Sequence, residues 1–428
     1  MRAPRSARGG AWLALLLLLS GLPSPAQEAA QDEEEASSAG VRFRFKKRPS
    51  LRFGNLLRID FRAKIQTDFR SFSPDLNLDM FELHRARIAI EGNFLNKQFE
   101  YEVERELRQS KHPWRDAYVN FRHFRRLQIK GGKFKEPFGL EQMAGPMRLD
   151  FVYRALISQY LTPARDKGVI AHGRLFKRGL NYQAGVFNRD GENARAKDEA
   201  TTGERTLVAR LTGTPLSLLR VPKPLKKTEL GGAFTSSHVR EGLNGLRGRT
   251  IAEETFFSHI YVRGRRLRVG TEMNWMHGPF SVKGEFIHVR DQRLGQGMRD
   301  EDLPDLISRG WYLSGSWVVT GEEKSEGIEP RKNFITGRGL GAVELAGRYE
   351  QMRFGSSEHP GLPSRSPRAA NILGNSDRVW TFGINWYVNP WVKIQVNGIR
   401  EQIEDIQRSP VPGRERFWLG VCRLQFVM

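Results

Sequence analysis

Cysteine is all but absent: Cys422 is the only one among 428 residues. An intrachain disulfide and a cysteine-based metal site are therefore excluded, and burial as a small apolar side chain is the ordinary fate of such a residue. Acid is scarce too, with 48 Asp and Glu against 69 Lys and Arg, for a formal net charge of +21. An excess of that size points to anionic partners: nucleic acid, anionic headgroups or small anions. Beyond Leu19 there is no apolar run long enough to cross a bilayer as a helix. The mean hydropathy of −0.53 would suit a soluble protein, yet a transmembrane β-barrel hides from that average because only alternate residues of each strand meet lipid.

Catalytic motifs are missing as well. Gly131-Gly132-Lys133 has no Ser or Thr after the lysine and no helix to follow, so it is not a phosphate loop. The nine histidines form no HExxH, and His84, His172 and His288 are scattered over strand-like segments. Asp300 and Asp302 stand in a loop, where solvation is the default for such a pair. No nucleophile, base and orienting group can be nominated together, so the reading is a protein without catalytic residues, metal or cofactor.

What is present begins with an export pattern. Met1 to Ala26 has a basic start, an apolar core from Ala11 to Leu19, and Ser24-Pro25-Ala26 with small residues at −3 and −1 of a cut before Gln27. This is a cleaved secretory signal, and export argues against nucleic acid as the partner of the basic charge. Gln27 to Gly40, with Asp32-Glu33-Glu34-Glu35 among Ala and Ser, lacks the apolar residues needed to fold and reads as a tether. Val41 to Arg48 (VRFRFKKR) is either a short periplasmic strand or a solvated arm, and residues 27–54 are assigned together as a periplasmic tether and arm.

From Asn55 to Arg70 the chain alternates. Leu57, Ile59, Phe61, Ala63, Ile65 and Phe69 share one parity, against Arg58, Asp60, Arg62, Lys64, Gln66, Asp68 and Arg70 on the other. Period two over this length means a strand with one apolar and one charged face, longer than the usual five or six residues and long enough to cross a bilayer when tilted. Sixteen such segments recur over 55–428, at 55–70, 80–92, 97–107, 114–122, 127–133, 167–176, 179–188, 204–214, 228–236, 263–276, 279–290, 308–320, 341–353, 377–388, 391–401 and 415–426. Links after odd segments run to about 33 residues, whereas most links after even segments hold about 2 to 4, the long external loops and short periplasmic turns of an outer-membrane barrel. Pro215 to Lys227 and Gly321 to Leu340 are the two long exceptions on the periplasmic side. Trp311, Trp317, Trp380, Trp386, Trp391 and Trp418 lie within or near strand ends, as interfacial girdles require.

The expected fold class is thus all-β, a transmembrane antiparallel barrel of about 16 strands. With the apolar parity on lipid, the lumen receives Arg58, Arg62, Lys64, Arg70, Arg85, Arg87 and Lys130, together with Arg210, Arg268, Lys283, Arg348, Lys393 and Arg423. Rings of Arg and Lys favour anions, and guanidinium forks match phosphate oxygens. Asp60, Glu102, Glu272, Glu285, Glu344 and Glu350 fall on the same walls, so a solvated wall of mixed sign is the plainer alternative. The long link Phe134 to Asp166 carries Lys135, Arg148, Arg154 and Arg165 beside Phe138, Phe151, Tyr153 and Tyr160. Those residues suit a loop folded into the pore, or an external loop touching lipopolysaccharide.

LHRARIAIEG (Leu83 to Gly92), WRDAYVNF (Trp114 to Phe121) and IKGGKFKEPFGLE (Ile129 to Glu141) stand first in an ordered set of motifs. GWYLSGSWVVTGE (Gly310 to Glu322), GAVELAGRY (Gly341 to Tyr349), GINWYVNPWVKIQVN (Gly383 to Asn397) and RLQF (Arg423 to Phe426) complete it. Together they resemble the phosphate-selective porin O and P family. The resemblance implies a homotrimeric outer-membrane barrel of sixteen strands, with an arginine-lined pore for phosphate or related anions and external loops that narrow it. Of the family's pore arginines, Arg85 and Arg87 match, and the loop after Gly139 matches loosely. Members of the family end on an aromatic residue, whereas Phe426 here is followed by Val427 and Met428. The expected function is passive diffusion of small anions, phosphate favoured. The rivals are a structural or lipopolysaccharide-binding barrel, a porin without phosphate selectivity, and a soluble periplasmic anion-binding β protein.

Overall fold

The computed structural model describes residues 40–428 except 74–80, 111, 177–178, 194–204, 326 and 335–336. The expected signal over 1–26 and the tether as far as residue 39 lie outside the described residues. The first strands are β1 (Val41–Phe45) and β2 (Pro49–Phe53), a hairpin whose second strand pairs with β3 (Leu57–Ser73) through Phe53 opposite Leu57. Of the two readings open for Val41 to Arg48, the strand is the one observed. Alternation in VRFRF meets a free strand edge there, and pairing satisfies the backbone that a solvated arm would leave to water.

The barrel continues with β4 (Phe81–Phe94), β5 (Phe99–Glu106), β6 (Trp114–Phe121), β7 (Gln128–Lys135), β8 (Arg165–Leu175), β9 (Leu180–Phe187), β10 (Thr206–Gly213) and β11 (Glu229–Leu243). A small ribbon, β12 (Gly248–Arg249) with β13 (Thr255–Phe257), lies inside the next loop. Then come β14 (Tyr261–His277), β15 (Phe280–Arg293), β16 (Leu303–Val318), β17 (Ala342–Ser356), β18 (Asn375–Tyr387), β19 (Val392–Ile403) and β20 (Arg416–Val427). Each barrel strand pairs antiparallel with the next, and β20 closes on β3. Counted from β3 to β20 without the ribbon, these are the sixteen segments read from the sequence. The segments at 228–236 and 263–276 are longer than their alternation suggested: β11 runs on to Leu243 and β14 starts at Tyr261, across a register shift between Val239 and Gly242 that interrupts the period-two pattern.

The seam uses the last residues of the chain. Met428 N–H donates to Ala63 O at 2.9 Å and Ala63 N–H to Met428 O at 3.0 Å. Val427 and Met428, beyond the terminal aromatic, therefore extend the closing ladder.

Burial follows the pleat. Along β16, Trp311, Leu313 and Trp317 are exposed, while Gly310, Tyr312, Ser314 and Ser316 are buried. Apolar side chains thus face outward and polar ones inward, the inverse of a soluble sandwich. Outward aromatics cluster: Trp311 lies edge-on to Tyr349 at 5.5 Å, and Tyr349 lies 4.5 Å from Trp380. Nearer the opposite rim Phe280 stacks on Trp317.

The largest apolar core lies inside the barrel. The loop between β7 and β8 (136–164) carries two short helices, α1 (Leu140–Met143) and α2 (Leu156–Tyr160), and turns into the lumen. Its Phe138, Leu156, Ile157 and Leu161 have no exposed surface, and they cluster with Leu246, Phe256 and Phe257 from the loop between β11 and β14. Each such burial stabilises the inward fold by about 1.5–3 kcal/mol. The wall is shaped to receive it: a side chain at Gly310 would stand 2.5 Å from Ile157, and one at Gly383 would stand 3.4 Å from Phe151.

Candidate functional site

The inward loop is fastened by cations that the alternation assigns to the lumen, joined by Lys324 from the link between β16 and β17. Lys283 and Lys324 donate to the Asp150 carboxylate at 2.6 and 2.7 Å. Lys393 donates to Leu149 O at 2.8 Å, Arg423 to Val152 O at 2.7 Å, Arg348 to Tyr153 O at 3.2 Å and Arg268 to Leu161 O at 2.8 Å. Wall acceptors hold the loop amides in turn: Glu350 takes Leu156 N–H at 2.5 Å and Asn397 takes Val152 N–H at 2.7 Å. Burial opposes charge at Asp150, but the two lysines outweigh it and hold its carboxyl well below the usual range. Burial likewise works against the Lys324 ammonium, and Asp150 with Glu344 lifts it above its ordinary value. The basic parity of β14 to β20 is therefore largely occupied in gripping one loop.

The remaining wall, β3 to β8, holds the other expected residues. Arg58 pairs with Asp60 at 2.6 Å, near the N-terminal hairpin. Arg62 meets Glu91 at 2.6 Å, Glu102, and Glu104 at 3.2 Å. Lys64 shares Glu104 at 2.6 Å, and Arg87 bridges Glu104 and Glu106 at 3.0 and 2.7 Å. Arg70 pairs with Glu82, and Arg165 forks onto Asp116 with contacts of 2.6 to 3.2 Å. Lys130 lies over the Tyr118 and Phe134 rings at 4.2 and 5.4 Å, and Arg148 is exposed.

Three cations in this wall and loop bond to neutral oxygens. Arg85 donates to Gln66 Oε1 at 2.5 Å, and its Nε has no partner. Lys135 reaches three carbonyls at the end of α1, those of Gln142, Met143 and Ala144, at 2.6 to 3.2 Å. Arg154 donates to Glu141 O at 3.0 Å and Ala144 O at 2.8 Å. They are electrostatic neighbours: Arg85 feels Arg87 and Arg154, and Lys135 feels Arg154, Arg165 and Lys64. Burial lowers the Arg154 guanidinium to about 10, so it stays charged at neutral pH.

Arg115 joins this group beside Arg165 and Arg87, paired with Glu192 at 3.2 Å. Strict alternation back from Val119 and Ala117 sends it to lipid. A register shift in the β5–β6 ladder between Val103 and Arg105 turns Arg115 inward beside Asp116. A second shift, between Gln66 and Thr67 against β4, leaves His84 unpaired next to Arg85. Asp68, Glu82 and His84 there have ligand atoms within 4.8 Å of one another. Arg423 grips Asp68 with two bonds of 2.6 Å, and Arg70 holds Glu82, so the cluster is a network of ion pairs. At the periplasmic rim a cavity of about 250 Å³ between the hairpin and β3 is lined by Arg44, Lys46, Lys47, Arg48, Arg52 and Arg58 around Ser50 and Asp60.

The profile of the phosphate-selective porin O and P family matches residues 58–428, the whole barrel. The chain belongs to that family. It is an outer-membrane porin, a channel protein by family. Porin O of Pseudomonas aeruginosa is 26% identical over 164 residues, which are 37% of this chain and 34% of that protein. The porin thus aligns with about a third of that curated relative's length. Among solved structures, OmpT of Vibrio cholerae shares the fold with a TM-score of 0.56 at 10% identity, covering 87% of this porin and 98% of that chain. The outer-membrane channel DcaP of Acinetobacter baumannii gives a TM-score of 0.54 at 9% identity, covering 87% and 97%.

Proposed function

We propose that this porin conducts small anions, phosphate first, along the space between the inward loop and the wall of β3 to β8. The observation that carries this reading is the cluster of Arg85, Lys135 and Arg154, whose charges are met by amide and carbonyl oxygens instead of carboxylates. An entering anion finds N–H donors and charges with no direct carboxylate partner among the described residues there, with Arg87, Arg115 and Arg165 close by. Guanidinium groups suit phosphate because their forked donors match its oxygens. Glu102, Glu104, Glu106 and Asp116 on the same wall moderate the field, so the ion is attracted without being trapped, as conduction requires. The basic cavity beside the hairpin extends the path to the periplasmic rim. We assign a homotrimer as the working assembly, in keeping with the family and with the trimer form in which OmpT of Vibrio cholerae has been solved.

The test is planar-bilayer recording of the folded barrel in potassium chloride gradients, with phosphate then added. Anion-selective reversal potentials, and chloride current reduced by millimolar phosphate, are the expected results. Cation selectivity would overturn the reading, and chloride current indifferent to phosphate would remove phosphate from it.

A further inference from the structure

The outer wall carries a basic feature that conduction does not use. His288 on β15 lies directly across the ladder from Arg309 on β16, and Arg309 lies directly across from Arg353 on β17. All three have the parity of the lipid-facing side chains: His288 shares it with Phe286, Arg309 with Trp311, and Arg353 with Tyr349. Like charges directly opposite on neighbouring strands are destabilising unless something of the other sign lies between them. No carboxylate is paired with Arg309 among the described residues, and Arg353 meets only Glu404, at 3.8 Å with both side chains about half exposed. Such an exposed, long ion pair contributes little.

The depth of the row narrows what can lie against it. On β16 Arg309 stands next above Trp311 on the same face and well above Trp317 near the periplasmic rim. At about 3.3 Å per residue and a tilt of about 40°, the rise from Trp317 to Arg309 is about 20 Å, close to the height of the apolar band of an outer-membrane barrel. The row therefore meets the outer leaflet where acyl chains give way to headgroups. A groove of about 580 Å³ opens at this row. Arg309, Arg353, His288 and His359 line it with Ser357 and Asn371, beside apolar Ile307. Anion-binding groups thus adjoin polar donors and the apolar Ile307, above an aromatic belt.

We infer that this groove binds the phosphorylated glucosamine headgroup of outer-leaflet lipopolysaccharide. Arg309 and Arg353 take one phosphate between them, His288 and His359 flank it, and Ser357 and Asn371 face the sugar. The inference rests on the outer-membrane placement of the barrel, and is independent of which ion passes through the lumen.

The test is native mass spectrometry of the folded full-length barrel in detergent, titrated with bis-phosphorylated lipid A and with the same lipid dephosphorylated. The phosphorylated lipid is expected to bind at least ten-fold tighter. Arg309→Ala/Arg353→Ala should remove most of that preference, at roughly ten-fold for each charge-assisted hydrogen bond to the phosphate that the substitution removes. Arg309→Lys/Arg353→Lys, which keeps charge without the fork, should fall between. Heat-modifiable migration and lumen conductance should match wild type in both variants. Equal binding of the two lipids by wild type would overturn the inference without any variant. So would displacement of the lipid by millimolar inorganic phosphate, or a change of oligomeric state in the variants with lipid binding unaltered, which would make the face a contact between subunits.

Discussion

Replacing Arg85 by glutamine tests the lumen most directly. The substitution keeps an N–H donor beside Gln66 and removes a charge that has no direct carboxylate partner among the described residues. An anion about 4 Å from a guanidinium gains about 1 kcal/mol in bulk water and about 4 kcal/mol at an effective dielectric constant of 20. A watery lumen bounded by protein sits towards the lower end. A loss of about 1.4 kcal/mol corresponds to a tenfold fall in local anion occupancy. Arg154 and Lys135 remain, so the chloride-to-potassium permeability ratio should drop by roughly three- to ten-fold at 0.1 M salt, where the screening length is about 10 Å. At 1 M that length is about 3 Å, and the difference between wild type and variant should nearly vanish. Reversal potentials at both concentrations supply the measurement. Identical selectivity at 0.1 M would show that Arg85 does not face the ion path, and a difference undiminished at 1 M would refute the electrostatic account.

Asp150→Ala leaves Lys283 without its carboxylate, leaves Lys324 only Glu344, and frees the tip of the inward loop. Unpairing a buried charge costs about 3–5 kcal/mol, and noisier open-channel current with faster protease cleavage within 136–164 should report it. The acid limit follows from the same carboxyl, whose folded value lies below its unfolded one. Its contribution to stability is full above the ordinary carboxylate range and is lost only as pH falls through the lowered value, so channel noise should not rise between pH 5 and pH 4. Gly310→Leu would drive a side chain into Ile157 of the loop and into the Gln351 carbonyl of β17, so refolding yield should fall and the single-channel conductance of the folded fraction should change. Arg62→Ala should disturb folding more than Arg85→Gln does, because it leaves Glu91, Glu102 and Glu104 sharing fewer cations. Refolding yield in detergent compares the two.

The barrel was legible because its rule is local. Alternation in Leu57 to Arg70 assigns each side chain to lipid or lumen from its neighbours alone, and burial along β3 and β16 obeys that assignment. Loop lengths then orient the two rims. The division of labour among the inward cations is not local. Arg423 and Arg85 share the lumenal face, yet one clamps Asp68 and Val152 while the other, among the described residues, bonds only to the Gln66 amide. That difference depends on where a loop some 270 residues away comes to rest. Arg115 escaped because a register shift breaks the period-two rule on which the reading depends.

Most of the inward loop's grip on the wall goes through its main chain: the carbonyls of Leu149, Val152, Tyr153 and Leu161 and the amides of Val152 and Leu156. Every amino acid offers those groups. Apart from Asp150, Glu141, Ser158 and the apolar plug, the loop can exchange its side chains and still hang from the same hooks. The fold thereby separates the frame of the aperture from its lining, so a lineage can re-cut what the channel admits without redesigning what holds the aperture in place.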